Sequence, residues 1–176
     1  PTTSSAASDV YKRQVENQTF MAGFLGEIKG KIDAKGRIVM PARFLKQLPE
    51  NHTHTFVLNR GIEKCLTLYT LSEWQKVMSE MKKLNLYGRK QRMFYRFFAR
   101  AFEITLDNTN RLLLPKDLLA YASLSKEVLL LGLPEQNRIE FWNPTAFEEM
   151  MDFSSEDFAN LANDVMGEKP AITINS

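Results

Sequence analysis

The sequence predicts a strand-rich α+β protein made of two repeated halves, each running strand, turn, strand, short helix, two strands and a closing helix. Three observations predict it. Asp33-Ala-Lys-Gly-Arg37-Ile-Val-Met-Pro41 returns 74 residues later as Asp107-Asn-Thr-Asn-Arg111-Leu-Leu-Leu-Pro115, with aspartate, arginine and proline in the same places. The segment before each motif alternates apolar and polar residues, the period of a half-buried strand. At a shift of 73, Leu66, Leu68, Tyr69 and Trp74 answer to Ile139, Phe141, Trp142 and Phe147.

The elements follow in order. Residues 1–20 are rich in Ser, Thr and Ala, lack periodicity and have no apolar segment of a secretion signal. They are expected to be a disordered arm, or an expression or assembly remnant, outside the fold. Patterned sequence begins at Met21. Ile28, Gly30 and Ile32 alternate with Lys29 and Lys31, and Phe102, Ile104 and Leu106 with Glu103 and Thr105, which predicts two strands. Each runs into a hairpin-like turn, Asp-Ala-Lys-Gly or Asp-Asn-Thr-Asn, whose residues supply side-chain acceptors and tolerate positive φ. Pro41 and Pro115 are expected at the first position of short helices, where no backbone N–H is needed. Those helices carry Phe44, Leu45 and Leu48, and Leu118, Leu119 and Ala122, as a cover for a sheet. Phe56-Val-Leu58, Val128-Leu-Leu-Leu131, the segment from Cys65 to Tyr69 and that from Arg138 to Trp142 read as strands. Ser72 with Gln75, and Thr145 with Glu148, have the form of capping boxes opening the closing helices.

Residues 88–101 between the halves form an amphipathic helical candidate. Arg89, Arg92, Arg96 and Arg100 share one side, and Met93, Phe94, Phe97, Phe98 and Ala101 the neighbouring one. The last patterned segment, with Phe158, Leu161 and Val165, reads as an acidic helix ending near Gly167. The organisation is therefore residues 1–20 as an arm, 24–86 as the first repeat, 87–98 as a connecting helix, 99–151 as the second repeat, and 152–176 as an acidic helix and tail.

Charge divides along the chain. Residues 21–98 hold fifteen Lys or Arg against six Asp or Glu, while residues 99–176 hold six against thirteen. A basic front and acidic back suit an anionic partner and self-association between copies. Composition is that of an ordinary globular chain. Charged residues interrupt every apolar run well short of the ~18 a membrane span needs, so no membrane partner is expected. Cys65, the single cysteine, cannot form an internal disulfide, and with His52 and His54 the only histidines no structural metal set exists. A reducing, intracellular setting fits. Walker, G-x-S-x-G, H-E-x-x-H and Cys–His arrangements are lacking, so no enzyme, cofactor or small-molecule substrate is expected.

The doubled D-x-x-x-R motif runs each time into an apolar triplet and proline. Together with Leu68-Tyr-Thr-Leu-Ser-Glu-Trp74 and Asn137-Arg-Ile-Glu-Phe-Trp-Asn143 at the ends of the halves, it resembles the MraZ family across residues 24–151. The resemblance implies a bacterial DNA-binding regulator built from two AbrB/SpoVT-type repeats, of the swapped-hairpin or double-split barrel class. It further implies a ring-shaped homo-oligomer binding short direct repeats in double-stranded DNA, in the promoter of the division and cell-wall operon. A cytoplasmic, nucleoid-associated regulator, most simply a repressor, is expected.

On this resemblance, DNA contact falls to Lys35, Gly36, Arg37 and Arg111. Gly36 lets the backbone approach a phosphate, Lys35 adds a point charge, and Arg37 can give two parallel hydrogen bonds to a phosphate or a guanine edge. The second copy, with Thr109 and Asn110 in place of Lys35 and Gly36, offers one fewer charge. Asp33 and Asp107, with Pro41 and Pro115, are assigned structural roles in the motif, because a carboxylate repels phosphate. Arg89, Arg92, Arg96 and Arg100 read as a solvated or subunit-facing stripe, or a secondary DNA surface. The phenylalanines beside them read as packing, and residues 148–168 as an acidic neighbour for the stripe. An antitoxin-like module, holding a protein partner through its acidic end, is the competing function.

Overall fold

The computed structural model describes residues 23–48 and 52–167. The arm at 1–20 and the tail beyond 167 lie outside the described residues. The first half contains β1 (Gly26–Lys31), β2 (Arg37–Val39), α1 (Ala42–Leu45), β3 (Thr55–Arg60), β4 (Leu66–Thr70) and α2 (Leu71–Lys82). After α3 (Arg89–Phe98), the same order returns as β5 (Phe102–Thr105), β6 (Arg111–Leu113), α4 (Lys116–Tyr121), β7 (Glu127–Leu133), β8 (Arg138–Trp142) and α5 (Pro144–Met151), and α6 (Ser155–Met166) follows. The fold is α+β and strand-rich. It divides into two compact units, one ending at Asn143 and one beginning at Pro144.

In the first unit six strands form one antiparallel sheet in the order β1-β7-β8-β4-β3-β5, and β2 pairs with β6 in a separate two-stranded ribbon. The order is palindromic with respect to the repeat. Each half contributes its third and fourth strands as a hairpin, and its first strand crosses to the other half: β1 lies on β7, and β5 lies on β3. The predicted turn does close, with Asp33 N–H donating to the Arg37 carbonyl at 2.9 Å. Pairing between β1 and β2 then stops at a single bridge, Ile32 to Ile38. The two strands part, one into the sheet and one into the ribbon.

This parting builds a shared core. Ile38 and Leu112, the inward residues of the ribbon, pack in one cluster with Phe44 of α1, Leu118 of α4, Phe56 and Leu58 of β3, and Leu130 and Phe141 of β7 and β8. On the other face α2 lies across β3 and β4. There the amide of Asn59, buried on β3, donates to the Phe97 carbonyl at 3.2 Å.

Four helix starts differ from the sequence-based expectation. Pro41 and Pro115 precede their helices rather than open them, with ψ of 134° and 143°, and their carbonyls accept the first helical N–H groups. Proline's fixed φ suits either position, so sequence alone does not separate them. Helix α2 is capped two residues earlier than Ser72, by Thr70, whose hydroxyl accepts the Glu73 N–H at 3.3 Å. Helix α5 starts at Pro144, which places Thr145 inside the first turn instead of at the cap. The reciprocal capping box forms at a pair the sequence reading passed over, Ser154 and Asp157, at the start of α6.

Because strands from both halves line the same core, removing apolar volume in either half should unfold both together. Leu112→Ala is expected to cost about 2–5 kcal/mol, in a single cooperative transition that reports identically from Trp74 and Trp142 replaced one at a time.

Candidate nucleic-acid interface

The two repeated motifs fold into matching turns. In the first, Asp33 Oδ1 accepts the N–H groups of Lys35 and Arg37, both at 2.9 Å, and Oδ2 accepts Arg37 Nε at 2.7 Å. In the second, Asp107 Oδ1 accepts from the N–H and hydroxyl of Thr109 and the N–H of Arg111, and Oδ2 accepts Arg111 Nε at 2.8 Å. The fourth residue of each turn is left-handed: Gly36 at φ +80°, Asn110 at φ +57°. Glycine and asparagine are the residues that enter this region most readily, which explains their exchange between copies. The carbonyl of each then accepts from the other half, Gly36 from Leu114 N–H at 2.9 Å and Asn110 from Met40 N–H at 2.8 Å. Each turn is thus tied to the end of the opposite ribbon strand.

These contacts shift the carboxyls downward. For Asp33 the Arg37 amide is the largest influence, opposed by some desolvation and supported by the Arg37 guanidinium and the Lys35 amide. For Asp107 desolvation works against ionisation but is outweighed by the Arg111 amide, the Thr109 hydroxyl and amide, and the Arg111 guanidinium. Both are held below the usual carboxylate range, so each arginine is held by an ionised partner at Nε. Among the described residues, the Nη groups of Arg37 and Arg111 make no hydrogen bond.

The ribbon presents both arginines on one face. Arg37 stands opposite Leu113 and Val39 opposite Arg111, while Ile38 and Leu112 between them point into the core. The outward face is a diagonal pattern of two arginines and two apolar side chains, with Val39 58% and Leu113 59% exposed. Lys35 lies at the outer edge of the first turn and opens onto a concavity of about 570 Å³.

The connecting helix is placed differently. Arg89, Arg92, Arg96 and Arg100 are exposed, but only the first three lie on α3, since the helix ends at Phe98. Arg92 Nη1 donates to the carbonyls of Leu86 and Tyr87, so this arginine ties down the chain entering the helix. The aromatic residues are incompletely packed. Phe98 meets Trp74, Phe94 and Phe97 edge-on or tilted, whereas Met93 and Phe94 remain 58% and 52% exposed. Cys65 is fully buried and its thiol is pushed up to about 12, by desolvation first and then by Glu140 and Glu63. A thiol so raised makes a poor nucleophile. His52 and His54 meet edge-on at 5.2 Å, and no group of three metal-ligating side chains occurs among the described residues. No helix among them is long and apolar enough to cross a membrane.

Two outcomes test this geometry. A Cβ on Gly36 would stand 3.2 Å from the Leu114 carbonyl oxygen at a positive φ, so Gly36→Val should destabilise by about 1–3 kcal/mol, while Asn110→Gly stays within a few tenths in urea unfolding. Because the folded carboxyls titrate below the ordinary 3.8, their contribution is complete above about pH 5 and is lost as pH falls through the depressed values. The thermal midpoint should drop below about pH 4. Asp33→Asn with Asp107→Asn should lower the midpoint at neutral pH and flatten that acid limb.

The comparisons with known proteins agree with the repeat. The family described as "MraZ protein, putative antitoxin-like" matches twice in succession, over residues 24–97 and 97–168. A transcriptional regulator MraZ of Cytophaga hutchinsonii is 40% identical over 143 residues, covering 81% of this chain and 93% of that protein. With two tandem matches spanning most of its length and a relative aligned nearly end to end, the chain belongs to the MraZ family.

Proposed function

We propose that this protein is a sequence-specific DNA-binding transcriptional regulator, acting as a repressor, that reads duplex DNA with the β2·β6 ribbon. One observation carries the reading: two arginines, each steadied at Nε by an aspartate, share the outward face of a two-stranded ribbon with their remaining donors free. A major groove admits a two-stranded ribbon, an arginine fork matches guanine or phosphate, and apolar side chains such as Val39 and Leu113 suit thymine methyls. The paired aspartate narrows the rotamers that each arginine must give up on binding. Arg37 has Lys35 and Gly36 beside it, and Arg111 has Thr109 and Asn110, so the first turn is the stronger of the two contacts.

The exchange of β1 and β5 supports reading the first unit as the swapped-hairpin barrel of the AbrB class. One ribbon offers few contacts, so high affinity calls for several chains side by side, as in a ring-shaped homo-oligomer over tandem repeats. The target in this reading is the promoter of the division and cell-wall operon, and the setting is the cytoplasm, at the nucleoid. The family description and the exposed Phe158, Leu161 and Val165 of acidic α6 favour a second reading, an antitoxin-like module that holds a protein partner through residues 152–176.

The test compares a duplex of tandem repeats, selected by the wild-type protein from a random pool, with a scrambled duplex. Arg37→Ala should cut affinity for the selected duplex by about ten- to hundredfold and bring it close to the scrambled one. Unchanged affinity would sink the ribbon reading. Removing residues 152–176 should leave DNA binding intact.

A further inference from the structure

The concavity beside the first turn is lined by four lysines from three separate stretches of chain. Lys31 ends β1, Lys35 lies in the turn, Lys116 begins α4, and Lys126 immediately precedes β7. All four are exposed, and none forms an ion pair among the described residues. Glu127 stands across the ladder from Lys31. The one carboxylate lining the concavity, Asp33, has both oxygens engaged within its own turn. Four like charges around one hollow repel one another and contribute nothing to the fold by themselves.

The repeat supplies the control. Ile32 N–H donates to the Lys126 carbonyl and Leu106 N–H donates to the His54 carbonyl, both at 2.9 Å, so His54 is the counterpart of Lys126. By the same correspondence Thr105 answers to Lys31, Thr109 to Lys35, and Ala42 to Lys116. The same backbone is therefore built once with four lysines and once with none. The lysines serve something outside the fold, and their chemistry selects an anion. An open hollow, lined by flexible point charges and continuous with the ribbon turn, fits an extended phosphodiester backbone better than a small enclosed ligand.

We infer that Lys31, Lys116 and Lys126, with Lys35, form a one-sided phosphate track that grips the DNA backbone flanking the ribbon. The inference rests on the ribbon reading and deepens it. The lysine-bearing end of a nearly two-fold ribbon gains phosphate contacts that the other end lacks, so each chain docks on DNA with one polarity.

The experiment measures binding to the selected and scrambled duplexes between about 50 and 200 mM salt. The variant is Lys116→Gln with Lys126→Gln. Lys76→Gln on α2 with Lys83→Gln at its C-cap is the charge-matched control. The track predicts that the first variant loses affinity by the same factor on both duplexes, and that its slope of log affinity against log salt falls by about two for each bound chain. The control should keep the wild-type slope. An unchanged slope in the first variant, while Arg37→Ala still abolishes discrimination, would overturn the track and leave the ribbon reading standing. A loss confined to the selected duplex would also overturn it, by marking base readout. Wild-type protein that binds neither duplex would remove both. Saturable binding of inorganic pyrophosphate, lost in the first variant while the salt slope is kept, would reassign the hollow to a free phosphate compound.

Discussion

The structure depends on one constraint: the strand before each Asp-x-x-x-Arg turn and the strand after it cannot remain paired. After the bridge from Ile32 to Ile38, β1 continues into the large sheet and β2 turns out to meet β6. Everything else follows from that divergence. The first strand of each half lacks a partner within its own half and takes the third strand of the other, while the two second strands take each other. Neither half then has a complete sheet or a complete core of its own. Ile38 and Leu112 can be dry only when both halves are present, which joins the repeats into one cooperative unit.

The aspartate in the motif explains how such a divergence can be made twice with different neighbours. Its two oxygens collect the turn's amide groups and the arginine's Nε, so the bend is held by the side chain rather than by a ladder of strand pairs. A turn held in this way does not need its strands to stay together. It also holds the arginine at Nε, while the other carboxylate oxygen takes the backbone amides. Within the five-residue motif the aspartate thus fixes both the backbone of the turn and the Nε end of the arginine.

The ribbon surface is a symmetric frame with asymmetric decoration. Arg37 and Arg111, Val39 and Leu113 exchange places under the approximate two-fold relation of the ribbon, but Lys35 meets Thr109, and Lys116 meets Ala42. Arginines stand at both ends, whereas the four lysines are gathered at one. Coulomb attraction to a phosphate backbone acts over about a Debye length, roughly 8 Å at physiological salt, so in the proposed reading the lysine end would govern encounter and the arginines register. The two family matches, residues 24–97 and 97–168, are nearly equal in extent but unequal in charge.

Much of this was legible in the sequence because it is local. Period-two alternation marks β1 and β5, the repeated Asp, Arg and Pro mark the turns and the helices after them, and Arg37 and Arg111 stand out by their spacing from aspartate. Helix starts were less legible: Thr70 and Ser72 offer the same capping chemistry two residues apart, and in the fold it is Thr70 that accepts the Glu73 N–H. Strand partners were not legible at all, because backbone hydrogen bonds are blind to side-chain identity and every buried strand here is similarly apolar. The lysine hollow was hidden for the same reason. Lys31, Lys116 and Lys126 are unremarkable surface residues in three distant segments, and it is the crossing of β1 to β7 that gathers them beside Lys35. Sequence determined which pieces of secondary structure form and where they bend, since neighbours along the chain decide that; tertiary structure alone decided which pieces lie together, since that choice is made by a core neither half can close.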